Sequence, residues 1–392
     1  MKQVLMALCV SACAFVNAPM AIAADVDVRI GYLRLEQKQR AVLSNLDPIP
    51  AQNGIDGARL ALEDIQTTGA FLGYDYTLHV ESVPHNGDIL TAARALLAQV
   101  DLVVLDMDAA TLGAVADLAE SQNALLFNAS ATGAELRSGE CRENVLHTAL
   151  ETAMRADALM QVLLAKRWTK LALIVGPTPQ DQALAEAYRQ ASQKFGLKIV
   201  AQKEWTFDTD LRRAAAREVP LFTQSFKAHD AVIVADAHDD FARYIEHNTW
   251  EPRPIAGASG LRAVGWSPVI EQWGAAQLQS RFSKLAGRSM RPRDYAAWAA
   301  VRAIGEAVTR TALSDAQAVR RYILSGDFEL AAFQGRPLSF RHWNGQMRQP
   351  VPVVNARAQI ASAPLDGFEH QFNPLDTLGT DIAQSGCTAF GG

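Results

Sequence analysis

Short, almost wholly apolar runs alternate along the chain with stretches in which apolar residues recur every three or four positions. The runs at 28–33, 77–80, 100–105 and 124–127, and again at 171–175, 198–201 and 231–235, read as strands. Between them lie helical patterns. In 54–66, Ile55, Ala58, Leu62 and Ile65 share one side; in 88–99, Asp88 can cap a face of Ile89, Ala93, Leu96 and Leu97. Further helices are predicted over 111–122, 152–166, 182–195 (stopped by Gly196) and 239–248. Strands apolar at both parities are buried on both faces, as in parallel sheets. Strand and helix in alternation imply right-handed crossovers and a doubly wound α/β fold. The rhythm stops after 127 and restarts at 152, so two such series are predicted, one per lobe. Sites in these sheets lie at the carboxyl ends of strands. Two lobes can face those ends across a cleft and close by a hinge.

The first residues follow another pattern. Lys2 precedes an apolar segment, Val4 to Val16, and Ala21-Ile22-Ala23 has the small residues of a cleavage site. This predicts a secretory signal over 1–23, and hence a periplasmic protein. The segment is shorter than the roughly 20 residues that span a bilayer. Val10-Ser11-Ala12-Cys13 also resembles a lipobox, which would instead anchor the chain by lipid at Cys13; the Ala-x-Ala site favours ordinary export.

The 392 residues are too many for one compact core and suit two domains. An apolar fraction of 49% is that of a globular chain, and a net charge of −5 argues against nucleic acid as a partner. The run Arg281, Lys284, Arg288, Arg291, Arg293 reads as a solvated basic face. Cys9 and Cys13 leave with the signal, so Cys141 and Cys387 are left to pair in an oxidising compartment.

Enzyme motifs do not emerge. Gly257-Ala258-Ser259-Gly260 lacks the glycine that a nucleophile elbow needs at 261. His238-Asp239-Asp240 stands where a helix begins, and acids there complement the helix dipole. The chain is read as a binder without a cofactor.

Four segments resemble the type I periplasmic binding proteins, the group of the leucine/isoleucine/valine-binding proteins. They are Gly54-Ile55-Asp56-Gly57-Ala58, Ser130-Ala131-Thr132-Gly133-Ala134-Glu135-Leu136, Arg167-Trp168-Thr169-Lys170, and Asp294-Tyr295-Ala296-Ala297-Trp298. The resemblance implies two doubly wound parallel-sheet lobes with a hinge. Lobe 1 would comprise 26–147 and 275–330, lobe 2 148–274 and 331–363, with 364–392 strapped across. It also implies a small-molecule ligand and an ABC-type inner-membrane permease. Phe333-Gln334-Gly335-Arg336-Pro337-Leu338, Arg348-Gln349-Pro350 and Leu375-Asp376-Thr377-Leu378-Gly379 resemble a subgroup associated with pyrroloquinoline-quinone-dependent alcohol dehydrogenases. That subgroup implies a solute linked to alcohol oxidation and a periplasmic quinoprotein dehydrogenase as partner. The alternative it leaves open is a carrier for the quinone cofactor or a metal ion.

Carried over by residue, the family pattern puts Thr132, with Ser130 beside it, at the ligand carboxylate. On the other lobe Ser259, Ala237 and Gln180 stand where the family has an acid, an aromatic and a tyrosine. An α-amino acid would then leave its buried ammonium uncompensated, which is costly. Asp106, Asp108, Asp181 and Asp236 follow strand ends or start helices near the expected cleft, as ligand or cap residues. Thr132 and Asp236 are expected to face each other and to serve capture rather than folding. A quinone would need Arg and aromatic partners, for which Arg34, Tyr32 and Trp205 are the candidates.

Overall fold

A computed structural model describes residues 26–38, 49–206 and 211–391, with the side chains of 211–213 left aside. The expected signal segment and the alternative anchor at Cys13 lie outside the described residues. No helix among the described residues is long and apolar enough to cross a membrane.

The first series gives β1 (Val26–Leu35), α1 (Ile55–Leu72), β2 (Tyr74–Val83), α2 (Ile89–Leu97), β3 (Leu102–Asp106), α3 (Ala109–Ala116), β4 (Leu125–Asn128) and β5 (Val145–His147). The strands form one parallel sheet in the order β2-β1-β3-β4-β5. Alternate residues serve opposite cores. Val28, Ile30, Tyr32, Val104 and Phe127 enter one, and Leu33, Val103, Leu105 and Leu126 the other. α3 stops at Ala116, short of the predicted 122, because the Ser121 hydroxyl donates to the Val115 carbonyl in place of a helical N–H.

The second series gives α4 (Thr152–Ala165), β6 (Lys170–Val175), α5 (Pro179–Lys194), β7 (Lys198–Glu204), α6 (Leu211–Thr223), β8 (Ala231–Ala235), α7 (Ala242–Ile245), β9 (Ile255–Gly257) and the short β10 (Arg262–Ala263). Strands β7-β6-β8-β9 are again parallel. Leu171, Leu173, Val175 and Ile233 face one side, Ala172, Ile174, Val232 and Val234 the other. The fold is therefore the expected pair of doubly wound α/β lobes.

The chain then returns to the first lobe as α8 (Ala275–Ala286), α9 (Pro292–Thr311) and α10 (Ala316–Ile323). α9 lies close enough to α1 that a side chain at Gly57 would start 1.9 Å from the Asp294 carbonyl oxygen. The basic run is a solvated face only in part: Lys284 is exposed, but three of the arginines are ion-paired. Arg281 pairs with Asp64, Arg288 with Asp56 and Asp294, and Arg293 with Asp106. These guanidiniums staple α8 and α9 to the first sheet and its first helix.

The hairpin β11 (Ser339–Phe340) and β12 (Met347–Arg348) leads to β13 (Val351–Val354) and β14 (Gln359–Ala363). β13 pairs antiparallel with β10 and β14, an arrangement absent from the sequence reading. Leu338, Phe340 and Met347 pack in a core of the first lobe, whereas Val351, Val353 and Ala363 pack in one of the second. Val354 packs again in the core of the first lobe, so 338–363 is shared between the two cores.

The tail crosses both units. Cys387 is bonded to Cys141. Asp376 accepts from Arg341 and Arg348 at 3.0 and 2.8 Å. Lys194 donates to the carbonyls of Thr377 and Gly379, while the Gly379 N–H donates to Asp157. Buried beside this seam is Glu151, at the start of α4. Neither of its carboxylate oxygens has a hydrogen-bond partner. The nearby cations are spent elsewhere: Arg137 on Gln346 and three carbonyls, Arg341 on Asp376 and the tail, Lys194 on Asp157 and the tail. Burial accordingly pushes the Glu151 carboxyl above its ordinary range, against the pull of these cations.

Candidate functional site

The carboxyl ends of the first sheet are shaped by buried polar side chains. Asn128, at the end of β4, accepts from the N–H groups of Ser130 and Ala131 at 3.1 and 2.8 Å and donates to the Ala131 carbonyl. This bends 129–132 into a tight turn. Within it the Ser130 hydroxyl donates to the Met107 carbonyl and accepts from the Met107 N–H, both at 2.8 Å. The hydroxyls of Thr132 and Thr152 lie 3.2 Å apart, and the Thr152 N–H donates to the Thr132 carbonyl. Thr132 is thereby placed where the chain leaves the first lobe for α4.

Asp106 is 1% exposed; it accepts from the Tyr32 hydroxyl at 3.0 Å and pairs with Arg293 at 3.2 Å. Burial, with the Asp106 carboxylate adjacent, pushes the Tyr32 phenol well above its ordinary pKa. Asp108 caps α3, accepting from the N–H and the hydroxyl of Thr111. Two positions apart in sequence, these acids serve differently: Asp106 belongs to an internal ion pair and Asp108 to a helix cap.

In the second lobe, Asp181 and Thr178 form a reciprocal cap at the start of α5. The other Asp181 oxygen accepts from the Ala237 N–H at 2.7 Å. Gly176 is required beneath it, since a side chain there would start 2.4 Å from the Asp181 carboxylate. Asp236 receives four backbone N–H groups: His238 and Asp240 on Oδ1, at 3.3 and 2.9 Å, and Phe241 and Ala242 on Oδ2, at 2.7 and 2.8 Å. That cap, and the left-handed Asp239 (φ 56°), confine α7 to 242–245 instead of the predicted 239–248. Gln180 and Ala237 are exposed. Asp181 is thus bonded to Ala237, while the neighbouring Asp236 anchors the loop that follows.

Ser259, just beyond β9, is 8% exposed and donates to Glu246 Oε2 at 2.5 Å. The Ser259 hydroxyl thus has a carboxylate partner that the sequence around it does not contain: α7 folds back and delivers Glu246 from thirteen residues upstream. A local turn motif carries no signal of such a partner. A carboxylate beside a hydroxyl at a strand end can accept from an ammonium or a sugar hydroxyl. The quinone candidates are engaged in structure. Tyr32 serves Asp106, Trp205 is buried and stacked on Phe241 at 4.9 Å, and Arg34 donates to the Ala51 carbonyl at 2.6 Å. Among the described residues no group of three or more His, Cys, Asp or Glu could hold a metal ion.

The family model described as periplasmic binding protein matches residues 47–361. No curated protein matches the chain. Among solved structures, a periplasmic binding protein from Burkholderia mallei is 16% identical, covers 93% of this chain and 99% of its own, and has a TM-score of 0.67. A branched-chain amino acid ABC transporter periplasmic ligand-binding protein from Burkholderia xenovorans LB400 is 15% identical over 93% and 100% of the two chains, with a TM-score of 0.70. A branched-chain amino acid transporter substrate-binding protein from Streptococcus pneumoniae, in complex with isoleucine, is 14% identical over 86% and 98%, with a TM-score of 0.60. At such identities these likenesses concern the fold. Two parallel-sheet lobes and a family match across most of the sequence lead to one conclusion: the chain belongs to the periplasmic binding protein family, whose members bind solutes and are not enzymes.

Proposed function

We propose that the protein captures a small polar organic solute between its lobes and delivers it to an ABC-type inner-membrane permease. Lobe 1 is taken as 26–147 and 275–330, lobe 2 as 148–274 and 331–363, and 364–392 as the strap across them. The observation that carries the proposal is that both sheets end in polar groups: Ser130 and Thr132 in one, Ser259 with Glu246 in the other. An acidic or hydroxyl-bearing end of the solute suits the Thr132 turn, and an ammonium or hydroxyl end suits Glu246. Asp106, Asp108, Asp181 and Asp236 set the shape of the walls. Gln180 and Ala237 lie on the rim of the second lobe. Solved proteins of this fold include transporter proteins for branched-chain amino acids. The resemblance of 333–338, 348–350 and 375–379 to the quinoprotein-associated subgroup adds alcohol metabolism as the setting of the solute.

Native mass spectrometry of protein taken from its own cell envelope tests this reading. A retained organic mass, lost on partial unfolding and rebound on refolding, is the expected result. Protein that carries no such mass, and shows no thermal shift with a panel of amino acids, hydroxy acids, alcohols and amines, would overturn it.

A further inference from the structure

Away from the strand ends, a cavity of about 280 Å³ opens where the segment entering α8, the segment entering β11 and the end of β14 meet. That is near the lower end of small-molecule pockets, roughly 300 Å³. Its walls include Trp273, Gln334, Arg336, Pro350, Pro364 and Asp366. Trp273 is 48% exposed, yet its ring is held: Gly335 lies so close that a side chain there would start 2.6 Å from the indole. Gly335 adopts φ 82°, which suits glycine.

Gln334 is 3% exposed; its amide donates to the Gly265 carbonyl at 2.9 Å and its Oε1 has no donor. Pro350 and Pro364 bring no N–H. Asp366 is exposed, and its carboxylate has no hydrogen bond or ion pair among the described residues. Arg336 is the single cation of the lining, and it sits 3.6 Å from Glu369. The one guanidinium of the lining is thus answered by Glu369 while its one carboxylate, Asp366, is not, and one aromatic ring stands half exposed beside it. Such a combination attracts a cation through the carboxylate and through the ring quadrupole together.

We propose that this cavity binds a small organic cation, an ammonium or guanidinium carried on a flat apolar body. The site is separate from the cleft at the strand ends and stands whether or not that cleft captures its solute. Its walls come from segments that enter or leave different cores, so an occupant contacts the seam between the lobes.

The test is calorimetric titration of the intact protein with benzylamine, with benzyl alcohol and benzoate as the neutral and anionic counterparts. Benzylamine carried to roughly 50 mM should give a saturable isotherm with a Kd in the millimolar range. Benzyl alcohol should bind more weakly and benzoate should give none. Asp366→Asn and Trp273→Ala should each weaken benzylamine by about two- to fivefold, the range of one exposed charge or cation–π contact. Asp366→Lys should abolish it. Asp366 is exposed, so its variants should melt with the parent. Absence of saturation with benzylamine overturns the proposal. So does benzoate binding as well as benzylamine, or an isotherm that Asp366→Lys leaves unchanged.

Discussion

Replacing Asp236 by asparagine separates a wall-building acid from a ligand-binding one. The carboxylate receives two backbone N–H groups on each oxygen. An amide of the same shape keeps one oxygen, best placed toward Phe241 and Ala242, where the bonds are 2.7 and 2.8 Å. Its NH2 then faces the N–H groups of His238 and Asp240, donor against donor. Two bonds to a charged acceptor are lost, at about 1.5–3 kcal/mol each, and the remaining pair loses its charge assistance. Because such terms are not additive, a loss of roughly 3–5 kcal/mol is expected. For a lobe of this size that lowers the melting temperature by roughly 6–20 °C. Differential scanning fluorimetry of ligand-free protein measures it directly. Gln180→Ala, an exposed position of the same lobe, serves as control and should stay within about 0.5 kcal/mol. If Asp236→Asn melts with the wild type while solute capture disappears, the carboxylate addresses the ligand and the reasoning from its backbone bonds is wrong.

Three further expectations follow from the same structure. Glu246→Gln should weaken capture of the solute found by mass spectrometry by roughly ten- to a hundredfold, the value of a hydrogen bond to a charged group, and an unchanged Kd would remove Glu246 from the site. Free-thiol titration of the unfolded, unreduced protein should find neither Cys141 nor Cys387, and Cys387→Ser should destabilise by at most about 5 kcal/mol, since the bond closes a loop of 246 residues. Glu151→Gln should alter the pH dependence of stability. The folded carboxyl is raised above its unfolded value of about 4.3, so the native protein is favoured below that pH and loses this contribution as pH rises through the raised value. The glutamine does not titrate, so the melting temperature of the variant should gain on the wild type from about pH 4 toward 7; a constant difference would refute the assignment.

The parallel strands were legible because residues facing either core must be apolar, which leaves runs such as Leu171–Val175 with no polar interruption. Edge strands were read too short. β2 continues to Val83 through half-wet residues, and β7 to Glu204, where alternation with charged side chains hides the strand. The helix at 239–248 failed because the acids that signal a helix start also describe an Asx-anchored loop, and Asp236 uses them as the latter. The Thr132 turn was legible from its family pattern. Glu246 was not, since its meeting with Ser259 is made by tertiary folding of α7. Nor could pattern reveal the seam of Arg341, Arg348 and Asp376, because charges in sequence read as surface.

That seam dictates the order in which the molecule can be completed. Arg341 is fully buried, and its acceptors are Asp376 and the carbonyls of Leu375, Leu378 and Thr380. A guanidinium cannot be enclosed before its acceptors arrive, since an uncompensated buried charge is strongly destabilising. While the chain grows from its N-terminus, residues 341–348 therefore exist for a time without residues 375–380. During that interval the joint between the lobes must stay wet and open. Each lobe can assemble its own sheet early, but the joint seals only when residues 375–380 have been made. A ribosome stalled short of residue 375 should hold two folded sheets with protease-sensitive connections, and release of the full chain should close them together.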